Sequence, residues 1–177
     1  MKAGAPDLKP GHATADASAA AASKARLRLW LKLLKAARLV EADLRERFRA
    51  DFASTLPRFD VMAALRRSPD GLRMSALSAE LKVSNGNVTG IVDRLVADGL
   101  VVRVPVDNDR RAMMVRLTGK GCETFDLLAA AHEGWIDGLL GGVAPGEARD
   151  LGETLDRISA EARAHVEALR GSGKESR

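Results

Sequence analysis

The chain has 177 residues, enough for one compact domain or for a small domain with long helical extensions, and too few for two full-sized domains. It is 46% apolar and 29% charged, as an ordinary soluble protein is, but only 3% of it is aromatic and it has no Tyr, so Leu, Val and Ala must do most of the packing. One cysteine, Cys122, excludes an intramolecular disulfide and a paired-thiolate metal site, and a net charge of +4 is too small to establish a polyanionic partner by itself.

The charge is sorted along the chain. Lys24 to Arg49 holds nine basic and three acidic residues, Arg66 to Arg116 nine and six, and Thr118 to Arg170 five and ten. Beyond Met1, residues 1–23 carry one large apolar residue, Leu8, and are expected to form a flexible arm. The N-terminus lacks the apolar core of a secretory signal, and no run of about 18 apolar residues occurs, so a cytoplasmic protein without a membrane span is expected.

From Lys24 to about Phe52, Leu27, Trp30, Leu31 and Leu34 follow the i, i+3, i+4, i+7 rule, with Leu44 and Phe48 continuing a face. Pro57 opens a second helix that ends before the turn Ser68-Pro-Asp-Gly71. MSALSAELKVS reads as a short helix with Ser75 as its N-cap. VSNGNVTGIVDRLVADGL reads as another, capped by Ser84, burying Val88, Ile91, Val92 and Leu95, and stopped by Gly99. Two short helices about a tight turn form a helix-turn-helix.

After Gly99 the period changes. LVVRVPV and MMVRLT, joined by the polar turn DNDRRA, read as a β-hairpin. Thr118 caps a helix that GGVAPGE breaks, and Pro145 starts the last one. There Leu151, Leu155, Ile158, Ala162, His165 and Leu169 alternate steps of four and three, the spacing of a seam that packs on another helix. The fold class is therefore mainly α with a small β-hairpin wing: a winged helix-turn-helix (56–118) between long dimerisation helices (24–55 and 119–170), with a flexible tail at 171–177. The outer apolar faces exceed what a small domain can cover, and a homodimer covers them while setting two reading helices one DNA turn apart.

The runs LPRFDVMAAL, MSALSAELKVSNGNVTGIVDRLVADGLV and DNDRRAMMVRLTGKG resemble the MarR family of bacterial transcription regulators, from Leu56 to about Leu140. The resemblance implies a homodimer on a palindromic double-stranded operator, released when a small molecule binds. Many members carry a basic residue where this chain has Gly90.

An N-terminal turn of Asn and Gly is a poor way to start a helix, and base reading explains it. Asn pairs bidentately with adenine, and a Thr or Val methyl touches thymine, so Asn85, Asn87, Val88 and Thr89 are candidate base contacts. Ser75, Ser84, Arg73 and Lys82 are candidate phosphate contacts. By similarity to the family, Arg111 is the wing-tip arginine in the minor groove, Asp109 holds its guanidinium, and Arg110 lies on the backbone.

Six basic and no acidic residues lie between Lys24 and Arg38. Two readings stay open: a solvated face that complements the acidic C-terminal helices, or the rim of an anionic effector site. In the second, Trp30 among Arg26, Arg28, Lys32 and Lys35, with Asp60 and Arg94 nearby, would suit an aromatic carboxylate or its coenzyme A thioester. No cofactor is expected, since His132, Glu133 and His165 lack a metal-ligand spacing, and no catalytic motif occurs, so an enzyme is not expected. Cys122 reads as a packed residue, with oxidant sensing as the alternative. The competing function is an effector-independent DNA-binding or architectural dimer.

Overall fold

Helix-forming composition carries the first element further than its apolar stripe does. In the computed structural model, which describes the backbone of residues 11–106 and 109–172 and the side chains of 18–105 and 113–170, helix α1 spans Gly11–Phe52. It therefore starts well before Lys24, because the run Ala19–Ala22 is the best helix former available and no Gly or Pro interrupts it. Expectations for residues 1–10 and 173–177 lie outside the described residues. Only the C-terminal part of α1 is buried, through Leu44 and Phe48.

Thr55 adopts extended backbone and accepts a hydrogen bond from the Arg58 backbone N–H, 3.4 Å, which starts α2 (Leu56–Arg67) with Pro57 in its first turn. The helix stops at Ser68, and Gly71 turns the chain at φ +95°. A Cβ at Gly71 would lie 2.8 Å from the Val115 carbonyl oxygen, so that close approach requires glycine.

Behind that turn the sheet has three strands rather than the expected two. Strand β1 (Leu72–Arg73) pairs antiparallel with β3 (Asp109–Leu117), which pairs with β2 (Val101–Val106), in the order β1-β3-β2. The registers Leu72↔Val115 and Val102↔Arg116 fix the sheet. Strand β3 begins at Asp109, so Asp109 to Ala112 belong to a strand and not to the turn that their polar composition suggested. Backbone pairing does not depend on apolar side chains there.

Helix α3 (Met74–Leu81) starts after Arg73 without a side-chain cap, so Ser75 lies inside its first turn and is not the N-cap. The end of β1 at Arg73 sets the helix start. Lys82 closes α3 in the left-handed region at φ 54°, and α4 (Asn85–Ala97) follows. Gly99, at φ +72°, ends α4, while the Leu100 backbone N–H returns to the Leu95 carbonyl at 2.9 Å.

Helix α5 (Gly119–Leu140) is tied to the exit of α4. The Thr118 hydroxyl donates to the Gly99 carbonyl, 2.8 Å, and accepts from the Gly121 N–H, 3.0 Å. Helix α6 (Pro145–Ser172) begins where the Glu147 carboxylate accepts from the Ala144 N–H, 2.9 Å.

The chain divides into two units, Met1–Ala129 and Ala130–Arg177. The first has the core: Val61, Met62, Leu65, Leu77, Val88, Val92, Leu95 and Val115 are buried. Aromatic rings adjoin within it, Phe48 and Phe59 with ring centroids 5.0 Å apart, and Phe59 stacked on Phe125 at 5.5 Å. In the second, the α6 seam residues Leu151, Leu155, Ile158 and Leu169 are exposed in the single chain. Among the described residues no helix is long and apolar enough to cross a membrane.

One helical glycine is a packing requirement. A Cβ on Gly121 would lie 2.0 Å from the Leu100 carbonyl oxygen. Gly121→Ala should cost about 3 kcal/mol or more in urea unfolding at fixed protein concentration. A loss below about 0.5 kcal/mol would show that this contact does not hold α5 to the exit of α4.

Candidate nucleic-acid interface

The rotation of α4 about its axis decides what the helix can present. Val88, Val92 and Leu95 recur at steps of four and three and are buried to 0% exposure, which anchors one face in the core of the first unit. Asn85, Asn87 and Thr89 are exposed in the first turn and a half. The Ser84 side chain accepts from the Asn87 N–H at 3.5 Å, so the cap is present as expected. Thr89 donates its hydroxyl to the Asn85 carbonyl, 2.8 Å, which leaves its methyl as the free part of an exposed side chain.

Val88 requires a correction. It has no exposure and cannot touch a thymine methyl while it fills the core, because its position on the helix groups it with Val92 and Leu95. Of the candidate phosphate contacts, Arg73, Ser75, Lys82 and Ser84 are all exposed and lie at the start of α3 or in the turn before α4. The wing candidates Asp109, Arg110 and Arg111 have their backbone in β3, and their side chains lie outside the described residues.

Ion pairs brace this platform from several sides. Arg103 of β2 meets Asp93 of α4 at 2.6 Å, Arg67 of α2 meets Glu80 of α3 at 2.6 Å, and Arg58 of α2 pairs with Asp98 at the end of α4. Arg66 reaches Asp126 at 3.2 Å, and that hydrogen bond, with the carboxylate charge, raises the arginine pKa. Such exposed pairs contribute about 0–1 kcal/mol each, so they orient the elements more than they stabilise them.

Beside the exposed turn lies a cavity of about 750 Å³, which no sequence signal had indicated. Arg45, Glu46 and Arg49 of α1 form one wall, and Leu56 and Pro57 continue it. Gly86, Asn87, Gly90, Ile91 and Arg94 of α4 form the opposite one. Three guanidinium groups thus face one carboxylate. Arg45 is engaged by Glu41 at 2.7 Å and Arg49 by Glu46 at 2.6 Å. The hydrogen bond to Glu46, and then its charge, raise the Arg49 pKa. The Arg94 side chain makes no hydrogen bond or ion pair with the described residues.

Of the seven residues expected around an effector, Arg94 lines this cavity. Arg26, Arg28, Trp30, Lys32 and Lys35 are exposed on α1, with Trp30 roughly 18 Å along the helix axis from Ala42, where the cavity begins. Asp60 is exposed on α2, is engaged in an interaction, and does not line the cavity. The structure does not bring the seven into one site within a chain. Among the described residues no group of three or more His, Cys, Asp or Glu could hold a metal ion.

Comparison with known proteins gives consistent matches. A family model described as MarR family matches residues 55–112. The crystal structure of a MarR family transcriptional regulator from Silicibacter pomeroyi is 36% identical, covers 79% of this chain and 96% of its own, and has a TM-score of 0.67. That of a MarR family transcriptional regulator from Streptomyces coelicolor, in complex with DNA, is 26% identical, covers 77% of this chain and 86% of that one, and has a TM-score of 0.68. The HTH-type transcriptional regulator PecS of Dickeya dadantii (strain 3937) is 30% identical over 115 residues, 64% of this chain and 60% of PecS. The match thus spans less than two thirds of that relative's length.

Burial separates two kinds of α4 residue. Val88→Ala should cost about 2 kcal/mol in thermal or urea unfolding. Asn85→Ala should change stability by less than about 0.5 kcal/mol. The reverse order would mean that α4 is rotated from this position.

Proposed function

Because the chain belongs to the MarR family of transcriptional regulators, we propose that it acts as a homodimeric repressor that binds a palindromic operator and leaves it when a small anionic effector binds. The observation that carries the DNA reading is the exposed first turn of α4, where Asn85 and Thr89 flank the buried stripe of Val88, Val92 and Leu95 on one side and Asn87 flanks it on the other. A major groove admits such a helix, and Asn and the Thr methyl supply groups that distinguish base edges. Arg73, Ser75, Lys82 and Ser84 surround that turn and would set its register on the phosphates, with Asp109, Arg110 and Arg111 of the wing on the neighbouring groove.

Uncovered apolar side chains support the dimer. Leu27, Trp30 and Leu31 on α1, and Leu151, Leu155, Ile158 and Leu169 on α6, are exposed in one chain and are too numerous to be scattered surface residues. A second copy is the partner that a two-fold operator requires. The DNA complex of the Streptomyces coelicolor relative supports DNA as the partner.

The cavity supports an effector, since Leu56, Pro57, Val83 and Ile91 in its lining beside Arg94 suit an aromatic carboxylate, or the acyl end of a coenzyme A thioester. A ligand there loosens DNA binding by as much as it prefers the unbound arrangement of α4. The test is a mobility shift on the protein's own upstream region. A sharp complex is expected, weakened roughly ten- to hundredfold by Asn85→Ala, with non-specific binding unchanged. In vitro transcription from the adjacent promoter should fall when the protein is added. No sequence-selective complex at moderate salt would remove the reading.

A further inference from the structure

Intramolecular pairing sorts the cations around the helix-turn-helix. Arg58, Arg66, Arg67 and Arg103 are each held by a carboxylate from another segment of the first unit. Arg73 and Lys82 stand at the two ends of α3, are exposed, and make no side-chain hydrogen bond or ion pair with the described residues. A cation without a carboxylate on its own chain keeps its charge for a polyanion.

Lys82 holds its place against backbone preference. It lies at φ 54°, ψ 36°, in the left-handed region that glycine adopts without a Cβ penalty. The turn needs that conformation, because the Lys82 and Val83 backbone N–H groups return to the Ala79 and Ser78 carbonyls at 3.4 and 3.2 Å. Ala53 also has positive φ, so the conformation by itself assigns no role. What distinguishes Lys82 is an unpaired ammonium in the turn that leads to Ser84 and Asn85, at a position where glycine would close α3 more easily. At about 1.5 Å per residue, Arg73 and Lys82 are roughly 13 Å apart along α3, too far to share one phosphate.

We propose that Arg73 and Lys82 are a pair of phosphate anchors, one at each end of α3, and that the left-handed turn keeps lysine in place of glycine for its charge. The proposal rests on the DNA reading above and names which cations of the helix-turn-helix carry it. Each anchor neutralises one phosphate and releases its condensed counterion, whereas the four paired arginines brace the fold and release none.

The test measures affinity for the upstream DNA duplex by fluorescence anisotropy, from about 50 to about 200 mM KCl, for the wild type, Lys82→Gly, Arg73→Gln and the paired control Arg67→Gln. For a dimer, the slope of log K against log salt should shrink by about two in Lys82→Gly and in Arg73→Gln, by about four in the double variant, and by less than about 0.5 in Arg67→Gln. Affinity at moderate salt should fall roughly tenfold or more for each anchor. Lys82→Gly should melt no lower than the wild type, because glycine suits the left-handed turn, so its loss of binding is not a loss of folding. A clear fall in that melting temperature would assign the lysine to the fold and overturn the proposal. A slope change in Arg67→Gln as large as in Lys82→Gly would overturn the sorting of cations. A sequence-selective wild-type complex whose slope neither anchor variant alters would overturn the anchors and leave the DNA reading standing. Absence of any such wild-type complex would remove the DNA reading, and the anchors with it.

Discussion

Burial of Val88, Val92 and Leu95 is the constraint on which the rest depends. Each fully buried Val or Leu contributes about 1.5–3 kcal/mol, so the three together hold α4 in one rotational setting against the cores of α2 and α3. At about 100° per residue, every other position of the helix is then assigned a direction. Asn85 and Thr89 share one side, and Gly86, Gly90 and Arg94 share the side that lines the cavity. One helix thus presents three surfaces, to the core, to solvent and to a cavity, and tilting it changes all three together.

The weak first turn follows from that division. Asn and Gly contribute little to helix stability, and Ser84 recovers part of the loss as a cap worth about 1 kcal/mol. Most of the helix is held by tertiary burial and by its exit, where Gly99, Leu100, Thr118 and Gly121 interlock through backbone and hydroxyl hydrogen bonds. The start can therefore be built for recognition while the end supplies rigidity. The same asymmetry makes the start the place where a bound molecule could shift the helix at least cost.

What was legible in the sequence is what periodic burial and capping chemistry encode. The steps Val88, Val92, Leu95, the cap at Ser84, the stop at Gly99, the start at Pro57 and the cap at Thr118 all have local causes and all appear in the structure. Strand β1 was not legible, because two residues show no period and their pairing with Val115 and Met114 is made with residues far along the chain. Ser75 was misread as a cap because residue type alone favours it, whereas the end of β1 fixes the helix start. Val88 was given two incompatible roles, and only the helix rotation chooses between them. Gly121 and the cavity depend on which backbones pass close to one another, and a linear pattern does not carry that. The basic run on α1 was associated with Arg94 by chemistry, but distance along a rigid helix separates them within one chain.

A crystal structure of the protein on its operator would test the central claim most directly, through the contacts of the first turn of α4. Asn85 and Thr89 of both protomers are expected against base edges in successive major grooves, with Val88 still in the core of its own subunit. A complex in which DNA meets another face of the chain, leaving Asn85 and Thr89 in solvent, would contradict it.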